Sequence, residues 1–380
     1  MKKALQDYRS RVDIVALNPH ADIVALTTDL VNIPSVSGNE AALANAIFVE
    51  LSKCDWLEVH RFKNSVVAKT NLGKASRVIV AGHIDTVPVA DNEVAVFVSG
   101  GNGLPSDGTV VPDDVVFGLG SCDMKGGVAV ALRAAVTIEN PQFDVTYIFY
   151  ECEEVDSERN GLTLIAAEHP EWLAADIAVL LEPSNANIEA GCQGTLRAKV
   201  STVGTRAHSA RSWLGDNAIH NLGDILARLN SYVPAKVLID GLEYREGLNA
   251  VQVSGGIAGN VIPDTATVDV NYRYAPSTSG AQAEAHIREV FDGFLVEFVD
   301  NAPGAMPGLD RPALADLVSR VGGKVAPKFG WTDVARFSAM GVPAVNLGPG
   351  DPGLAHSRNE HISVAQLKQC EETVFDWLKG

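Results

Sequence analysis

Positive charge is scarce in this chain. Its 30 lysines and arginines face 47 aspartates and glutamates, for a formal net charge of −17. A nucleic-acid face needs clustered Lys and Arg, so nucleic acid is excluded as a partner, and an anionic membrane surface is excluded on the same ground. An anionic substrate would need a few local arginines or metal ions to overcome the global field. Cysteine is also sparse. Cys54, Cys122, Cys152, Cys192 and Cys370 are scattered, odd in number, and form no Cys-x-x-Cys pair. That excludes a disulfide framework and a zinc knuckle, and the expected compartment is the reducing cytoplasm. Long apolar runs are missing. Gly127 to Ile138, the longest apolar helix candidate, is interrupted by Arg133 and too short to span a bilayer. Met1-Lys2-Lys3 leads into a charged segment through Asp13 without an apolar core, so no signal peptide is expected. Internal repeats and low-complexity tracts are absent as well. Aromatics are few and apolar residues many, which suits an Ala/Val/Gly-rich α/β protein.

The pattern of apolar residues divides the chain. Residues 20–53 read as helix, broken at Pro34–Gly38 and restarting near Asn39-Glu40. Strands are predicted over Val66–Lys69, Val78–Ala81, Asp144–Tyr150 and Ile177–Leu181, with helices from Gly127 to about Glu139 and over Leu162–Glu168. Residues 91–115 read as a loop with a short hairpin. Such alternation predicts a mixed, mostly parallel sheet with helices on both faces. Near Gly194 the style changes. Strands Thr195–Val203, Ala250–Ile257, Thr265–Tyr274 and Phe294–Val299 and helices Asn217–Tyr232 and Ala281–Phe291 give the order β-α-β-β-α-β, a ferredoxin-like α+β unit. Its strand and helix faces keep apolar residues that suit pairing with a second copy. After Pro303 the first style returns, with helix 312–322, strand 343–347 and helix 363–379. Residues 1–193 and 304–380 are thus expected to form one α/β domain, with 194–303 as an insertion.

Ligand-type residues recur where apolar strands end. Gly82-His83-Ile84-Asp85-Thr86-Val87-Pro88 follows the strand at Val78–Ala81. Asp123 follows the Gly118–Gly120 turn and opens a helix. Glu153-Glu154 follow Tyr147–Tyr150, Glu182 follows Ala178–Leu181, and His356 follows Ala344–Leu347 and a Gly/Pro loop. A lone carboxylate after a strand is usually an N-cap or a solvated charge. Open α/β sheets, however, place their sites at the C-terminal strand ends, and such groups are rarely buried unpaired. Together they form the inventory of a two-metal hydrolase: imidazole and carboxylate ligands, a bridging carboxylate and a spare glutamate. Two zinc ions roughly 3.5 Å apart need an anionic bridge, which Asp123 can supply. A non-ligating glutamate is needed to move a proton from water to the leaving nitrogen, and Glu153-Glu154 offers one ligand and one base.

In this order the motifs resemble those of the zinc aminoacylase/carboxypeptidase superfamily M20. The resemblance rests on Gly82–Pro88, Gly118–Gly126, Glu153-Glu154, Leu181-Glu182-Pro183, Gly204–His208, Gly259–Pro263, Arg273 and His356–Glu360. It covers nearly the whole chain. It implies a zinc-exopeptidase-like catalytic domain, an inserted lid and dimerisation domain, and two Zn²⁺ per chain, for which Co²⁺ can substitute. By the same resemblance His83, Asp123 and Glu182 bind one zinc, and Asp123, Glu154 and His356 the other. Glu153 is the general base and Asp85 orients His83. His208 reaches across a homodimer interface formed by 194–303 to the partner's oxyanion, helped by Asn260. Arg273 holds a substrate carboxylate, Thr332 is a further substrate contact, and the Asp123–Met124 peptide is cis. Glu151–Val155, Ala207–Asn217 and Gly348–Pro352 are similar to members that remove succinate from N-succinyl-LL-2,6-diaminopimelate. Another N-acylated amino acid, acetylornithine or a dipeptide is the alternative substrate. Four positions depart from the usual pattern: Leu119 stands in place of an arginine, Cys152 in place of an aspartate, and Cys192 and Gln193 in place of arginines.

Overall fold

The computed structural model describes residues 16–380, and the charged stretch through Asp13 lies outside the described residues. Helix α1 (Ile23–Val31) starts at Asp22, whose side chain accepts the Val24 N–H, and α2 (Ala41–Leu51) follows the Pro34–Gly38 break. Then come β1 (Glu58–Phe62), β2 (Ser65–Lys69), β3 (Arg77–His83), β4 (Val96–Val98) and β5 (Val115–Phe117). Helix α3 (Gly126–Thr137) leads to β6 (Asp144–Tyr150), α4 (Gly161–Glu168), β7 (Ile177–Pro183) and β8 (Ile188–Ala190). The next stretch holds β9 (Gly194–Val203), β10 (Ala207–His208), α5 (Ala218–Ser231), β11 (Lys236–Ile239), β12 (Leu242–Arg245) and β13 (Gly247–Gly255). It ends with β14 (Val261–Ile262), β15 (Thr265–Tyr274), α6 (Gly280–Val290) and β16 (Leu295–Ala302). The chain closes with α7 (Pro312–Arg320), β17 (Val325–Pro327), α8 (Val334–Ala339), β18 (Ala344–Gly348), β19 (His361–Ser363) and α9 (Val364–Lys379).

The described chain forms two compact units. One gathers residues through Glu189, Gly308–Ala326 and Arg336–Gly380, and the other holds Ala190–Pro307 and Pro327–Ala335. The segment around Thr332 therefore belongs with the insertion.

The first unit is built on an eight-stranded sheet in the order β1-β2-β6-β3-β7-β18-β8-β17. Its centre, β6-β3-β7-β18, is parallel, while β1 and β2 add an antiparallel edge. Every residue of β6 and β7 is buried, as expected where helices cover both faces. Helix α3 is rich in Ala and Val and almost wholly buried. Gly127 permits its close approach to the sheet, since a Cβ there would lie 2.2 Å from the Leu181 carbonyl oxygen. The segment expected to be a loop at 91–115 holds β4, which pairs with β5, and β5 pairs with β19. Val98, Leu104, Val111, Val115 and Phe117 give it a small core of its own.

The second unit has a four-stranded antiparallel sheet in the order β13-β15-β9-β16. That is the ferredoxin-like arrangement, with α5 and α6 packed on one face through Leu222, Ile225, Ala283 and Ile287. Asn217 caps α5, and a Ser279/Gln282 capping box opens α6. Among the described residues no helix is long and apolar enough to cross a membrane.

Candidate active site

The parallel strands deliver the site residues of the first unit to one edge. His83 is the last residue of β3 and Glu182 lies near the end of β7. Glu153 and Glu154 follow β6, and His356 follows β18. Asp123 sits in a tight turn before α3, where Gly120 adopts φ +78° and a Cβ would press on the Thr86 methyl at 2.7 Å. The Asp123–Met124 peptide is cis.

These side chains meet. His83 Nε2 lies 3.1 Å from Asp123 Oδ1 and 3.8 Å from Glu182 Oε1. His356 Nε2 lies 2.8 Å from Glu154 Oε1 and 3.4 Å from Asp123 Oδ2. The two oxygens of Asp123 therefore face different histidines. One donor atom each from His83, Asp123 and Glu154 falls within 4.8 Å of the others, a spacing that can hold a metal ion. Burial opposes charge on His83, but Asp123, Asp85 and Glu182 outweigh it and hold the imidazole well above its ordinary range. Asp123 and Glu154 raise half-exposed His356 to about 10. Asp123 is depressed, because its two histidines overcome its burial. The cluster thus holds more carboxylate than imidazole and favours positive charge strongly.

Asp85 organises this edge more broadly than orientation of one histidine. His83 Nδ1 is 3.1 Å from the Asp85 carbonyl oxygen and 3.5 Å from its carboxylate. That carboxylate accepts the Glu153 N–H at 2.9 Å, the Glu154 N–H at 3.1 Å and the Ser37 hydroxyl at 2.7 Å. One fully buried aspartate therefore fixes both the histidine and the glutamate pair. Ser37 carries no ligand signal in the sequence, and only its place in the Pro34–Gly38 break marks it. Cys152 is buried and donates to Glu40 Oε1 at 3.3 Å.

Two further residues escape the sequence reading. Glu360 is buried, and its Oε1 accepts the backbone N–H groups of Cys122 and Asp123 at 3.1 and 3.0 Å. Burial pushes its carboxyl up to about 7. Its place at the end of the His356–Glu360 motif was the available signal. Asn271 is the other. Its Oδ1 accepts from Arg273 Nε at 3.1 Å, and its amide donates to Thr195 Oγ1 at 3.1 Å.

Four of the expected residues lie in the second unit. His208 pairs with Val261 across β10 and β14, and the Asn260 carbonyl accepts the Ser209 N–H, so His208 and Asn260 share one exposed ribbon. His208 Nδ1 accepts the Ala210 N–H at 3.0 Å. Arg273 is half-buried on β15. Thr332 is buried, and its carbonyl lies 3.9 Å from Cys192 Sγ.

Known proteins repeat this plan. A putative succinyl-diaminopimelate desuccinylase of Mycobacterium tuberculosis is 50% identical over 367 residues, covering 96% of this chain and 100% of the relative. The succinyl-diaminopimelate desuccinylase of Corynebacterium glutamicum is 49% identical over 368 residues, covering 94% and 96%. Among solved structures, a tripeptidase of Staphylococcus aureus superposes with a TM-score of 0.75 at 19% identity, over 96% of this chain and 99% of its own. That likeness speaks for the fold. The model of peptidase family M20/M25/M40 matches residues 79–379, a span running from β3 to the last helix and containing every ligand-type strand end. The resemblance read from the motifs therefore holds, and this chain belongs to peptidase family M20/M25/M40.

Proposed function

We propose that this chain is a zinc-dependent amidohydrolase that cleaves N-succinyl-LL-2,6-diaminopimelate to succinate and LL-2,6-diaminopimelate. The chemistry rests on one observation: Asp123 turns one oxygen to His83 and the other to His356. The choice of substrate rests on two relatives, 50% and 49% identical, whose names carry that activity.

The donor set fits two divalent cations. In this reading His83, Asp123 and Glu182 hold one zinc, and Asp123, Glu154 and His356 the other. Asp123 offsets the repulsion between the ions. When bound, the ions supply Lewis acidity to a water and to the scissile carbonyl. Glu153 takes a proton from the attacking water and returns it to the leaving nitrogen as the C–N bond breaks. The water oxygen ends in the new carboxylate of succinate. Asp85 supports this role by anchoring the Glu153 and Glu154 backbone.

The second unit is read as lid and homodimer interface. Strand β13 is an edge strand, and Val251 and Val253 on it are 60% and 56% exposed. Monomers rarely leave an apolar edge of that length uncovered. His208 Nδ1 accepts the Ala210 N–H, which leaves Nε2 as the ring nitrogen free to donate to the oxyanion of the partner's site. Asn260 assists there. Asn271 occupies Nε of Arg273, leaving the two terminal nitrogens for a bidentate grip on a substrate carboxylate. Thr332 is a further substrate contact. The five cysteines are free and buried, in keeping with a cytoplasmic enzyme.

The test is turnover by purified full-length protein after chelation and after zinc is added back. The panel is N-succinyl-diaminopimelate, its N-acetyl analogue, acetylornithine and a dipeptide. Chelation is expected to abolish activity, and two zinc ions per chain to restore it. The highest kcat/KM is expected for the succinyl substrate. Full activity in protein free of metal by elemental analysis overturns the metal centre. Preference for another panel member reassigns the substrate.

A further inference from the structure

The motif His356-Ser357-Arg358-Asn359-Glu360 gives the site an imidazole, but its last residue has no part in the reaction proposed above. Glu360 is a glutamate only 1% exposed. A buried carboxylate is costly unless its oxygens are satisfied, so its partners indicate what it is for. Its Oε1 receives two backbone N–H groups, those of Cys122 and Asp123, the second from 237 positions away. Its own carbonyl accepts the Gly118 N–H at 3.0 Å, and its N–H donates to Ser357 at 3.2 Å. Glu360 therefore ties the Gly118–Asp123 turn to the loop carrying His356. The far side of the turn is tied separately. Lys125 N–H donates to Gly120 at 2.7 Å, and buried Lys125 Nζ donates to the Ile33 carbonyl at 2.8 Å.

A bridging carboxylate has a stricter task than an ordinary ligand. Both of its oxygens must stay aimed, and a side chain keeps its aim only if its backbone is fixed. We propose that Glu360 is a positioning residue, whose side-chain oxygen clamps the backbone of Cys122 and Asp123 so that the Asp123 carboxylate faces His83 and His356 together. The inference rests on the two-cation reading. It separates Glu360 from the ligands by a signature: losing Glu154 or Glu182 affects one ion, whereas losing the clamp affects both, because Asp123 serves both.

The experiment uses the full-length chain and three variants, Glu360→Leu, Glu360→Gln and Glu360→Asp. Zinc affinity is read by competition with a chromophoric chelator, and the Co²⁺ absorption spectrum reports geometry. Amide hydrogen exchange over residues 118–125 is followed in the metal-free protein. Glu360→Leu removes the acceptor at similar volume and is expected to lower affinity for both ions by about 10–100-fold, the usual effect of removing a residue that orients a ligand. It should also speed exchange at 118–125 while leaving β6 unchanged. Glu360→Gln keeps an acceptor oxygen at the same reach and is expected to restore most of both. If Glu360→Leu does not fold, Glu360→Asp, one methylene shorter, carries the same comparison with Gln. Wild-type affinity in a folded Leu or Asp variant overturns the proposal, and so does a loss confined to one ion. Equal damage in Gln and Leu also overturns it, since charge and not the acceptor would then matter. If the wild type binds no pair of ions, the two-cation reading fails, and the exchange comparison still decides whether Glu360 clamps the turn.

Discussion

In the parallel sheet β6 and β7 are buried at every position, whereas in the antiparallel sheet β13 is exposed from Asn249 onward and β9 and β15 alternate. Some of the functional side chains show the same contrast, although His356 is half-exposed and Thr332 is buried. His83 and Asp85 are 1% and 0% exposed, and Asp85 alone accepts from Ser37, Glu153 and Glu154. His208 and Asn260 stand on an exposed ribbon. A site inside a sheet covered on both faces is held by its own chain and is set before substrate arrives, which limits reorganisation during reaction. An exposed histidine gains catalytic strength only when something else desolvates it. Under the reading proposed above, the first unit would carry the metal centre and the second groups that act once a further surface desolvates them.

The sharpest way to break this contrast is inside the buried site, between neighbours. Glu153→Ala is expected to lower kcat by about 10²–10⁴-fold, the range for a lost general base, with both zinc ions retained. Glu154→Ala should lose the ion shared with His356 and keep the other. Metal content by elemental analysis beside single-turnover rates checks both. A Glu153 variant that loses zinc beside a Glu154 variant that keeps both ions would reverse the two roles.

Much of this division was legible in the sequence, because two periodicities are written plainly. Continuous apolar runs leading to His83, Glu153-Glu154 and Glu182 mark strands buried on both faces. Strict alternation over Thr195–Val203 and Thr265–Tyr274 marks strands with one face covered, and the sheet order follows the expected β-α-β-β-α-β plan. What stayed hidden lacked a periodic signal. Strands β8, β17 and β19 have only three residues each. The hairpin of β11 and β12 did carry a cue, since Asp240-Gly241 both take positive φ as a two-residue turn requires. Its strands alternate, with Val237, Ile239, Leu242 and Tyr244 turned to a small core, but four residues each are too few for that alternation to stand out. The clamping roles of Ser37, Glu360 and Asn271 lay hidden for another reason. Ser37 and Glu360 act on partners distant in sequence, which no spacing rule encodes, and Asn271, although two residues from Arg273 on one strand face, is held in place by distant Thr195.

The next test asks whether His208 acts outside its own site. Removing an oxyanion donor typically costs about 10²–10³ in kcat, so His208→Ala is expected to fall in that range with metal content unchanged. Under the homodimer reading, His208→Ala and Glu153→Ala chains regain activity when mixed and allowed to exchange. Each heterodimer then holds one site with an intact Glu153 and a His208 supplied by the other chain. Native mass spectrometry verifies exchange while turnover is followed. Exchange without recovery would place His208 within its own chain's chemistry or outside it altogether, and the exposed unit would have to be read again.

The smallest expected effect sharpens the comparison within the second unit itself. Arg273 is half-buried, and desolvation lowers its affinity for a proton, yet Asn271 takes its Nε in a hydrogen bond of 3.1 Å. Asn271 is in turn held by Thr195 Oγ1 and the Leu196 carbonyl, so the guanidinium is anchored through a neighbouring side chain. A planar fork presented with both terminal nitrogens forward grips a carboxylate bidentately, and one free to rotate about its last bonds loses mainly entropy. Asn271→Leu keeps the volume and removes the acceptor. It is expected to raise KM by about tenfold, the worth of roughly one charged hydrogen bond, with kcat nearly unchanged. Arg273→Lys should cost more, because a point charge replaces the fork. A substrate analogue lacking the recognised carboxylate separates the two explanations. If Asn271 acts through Arg273, the Leu variant and the wild type handle that analogue alike; if Asn271 merely supports the β9–β15 pairing, the variant loses on both substrates and melts at a lower temperature.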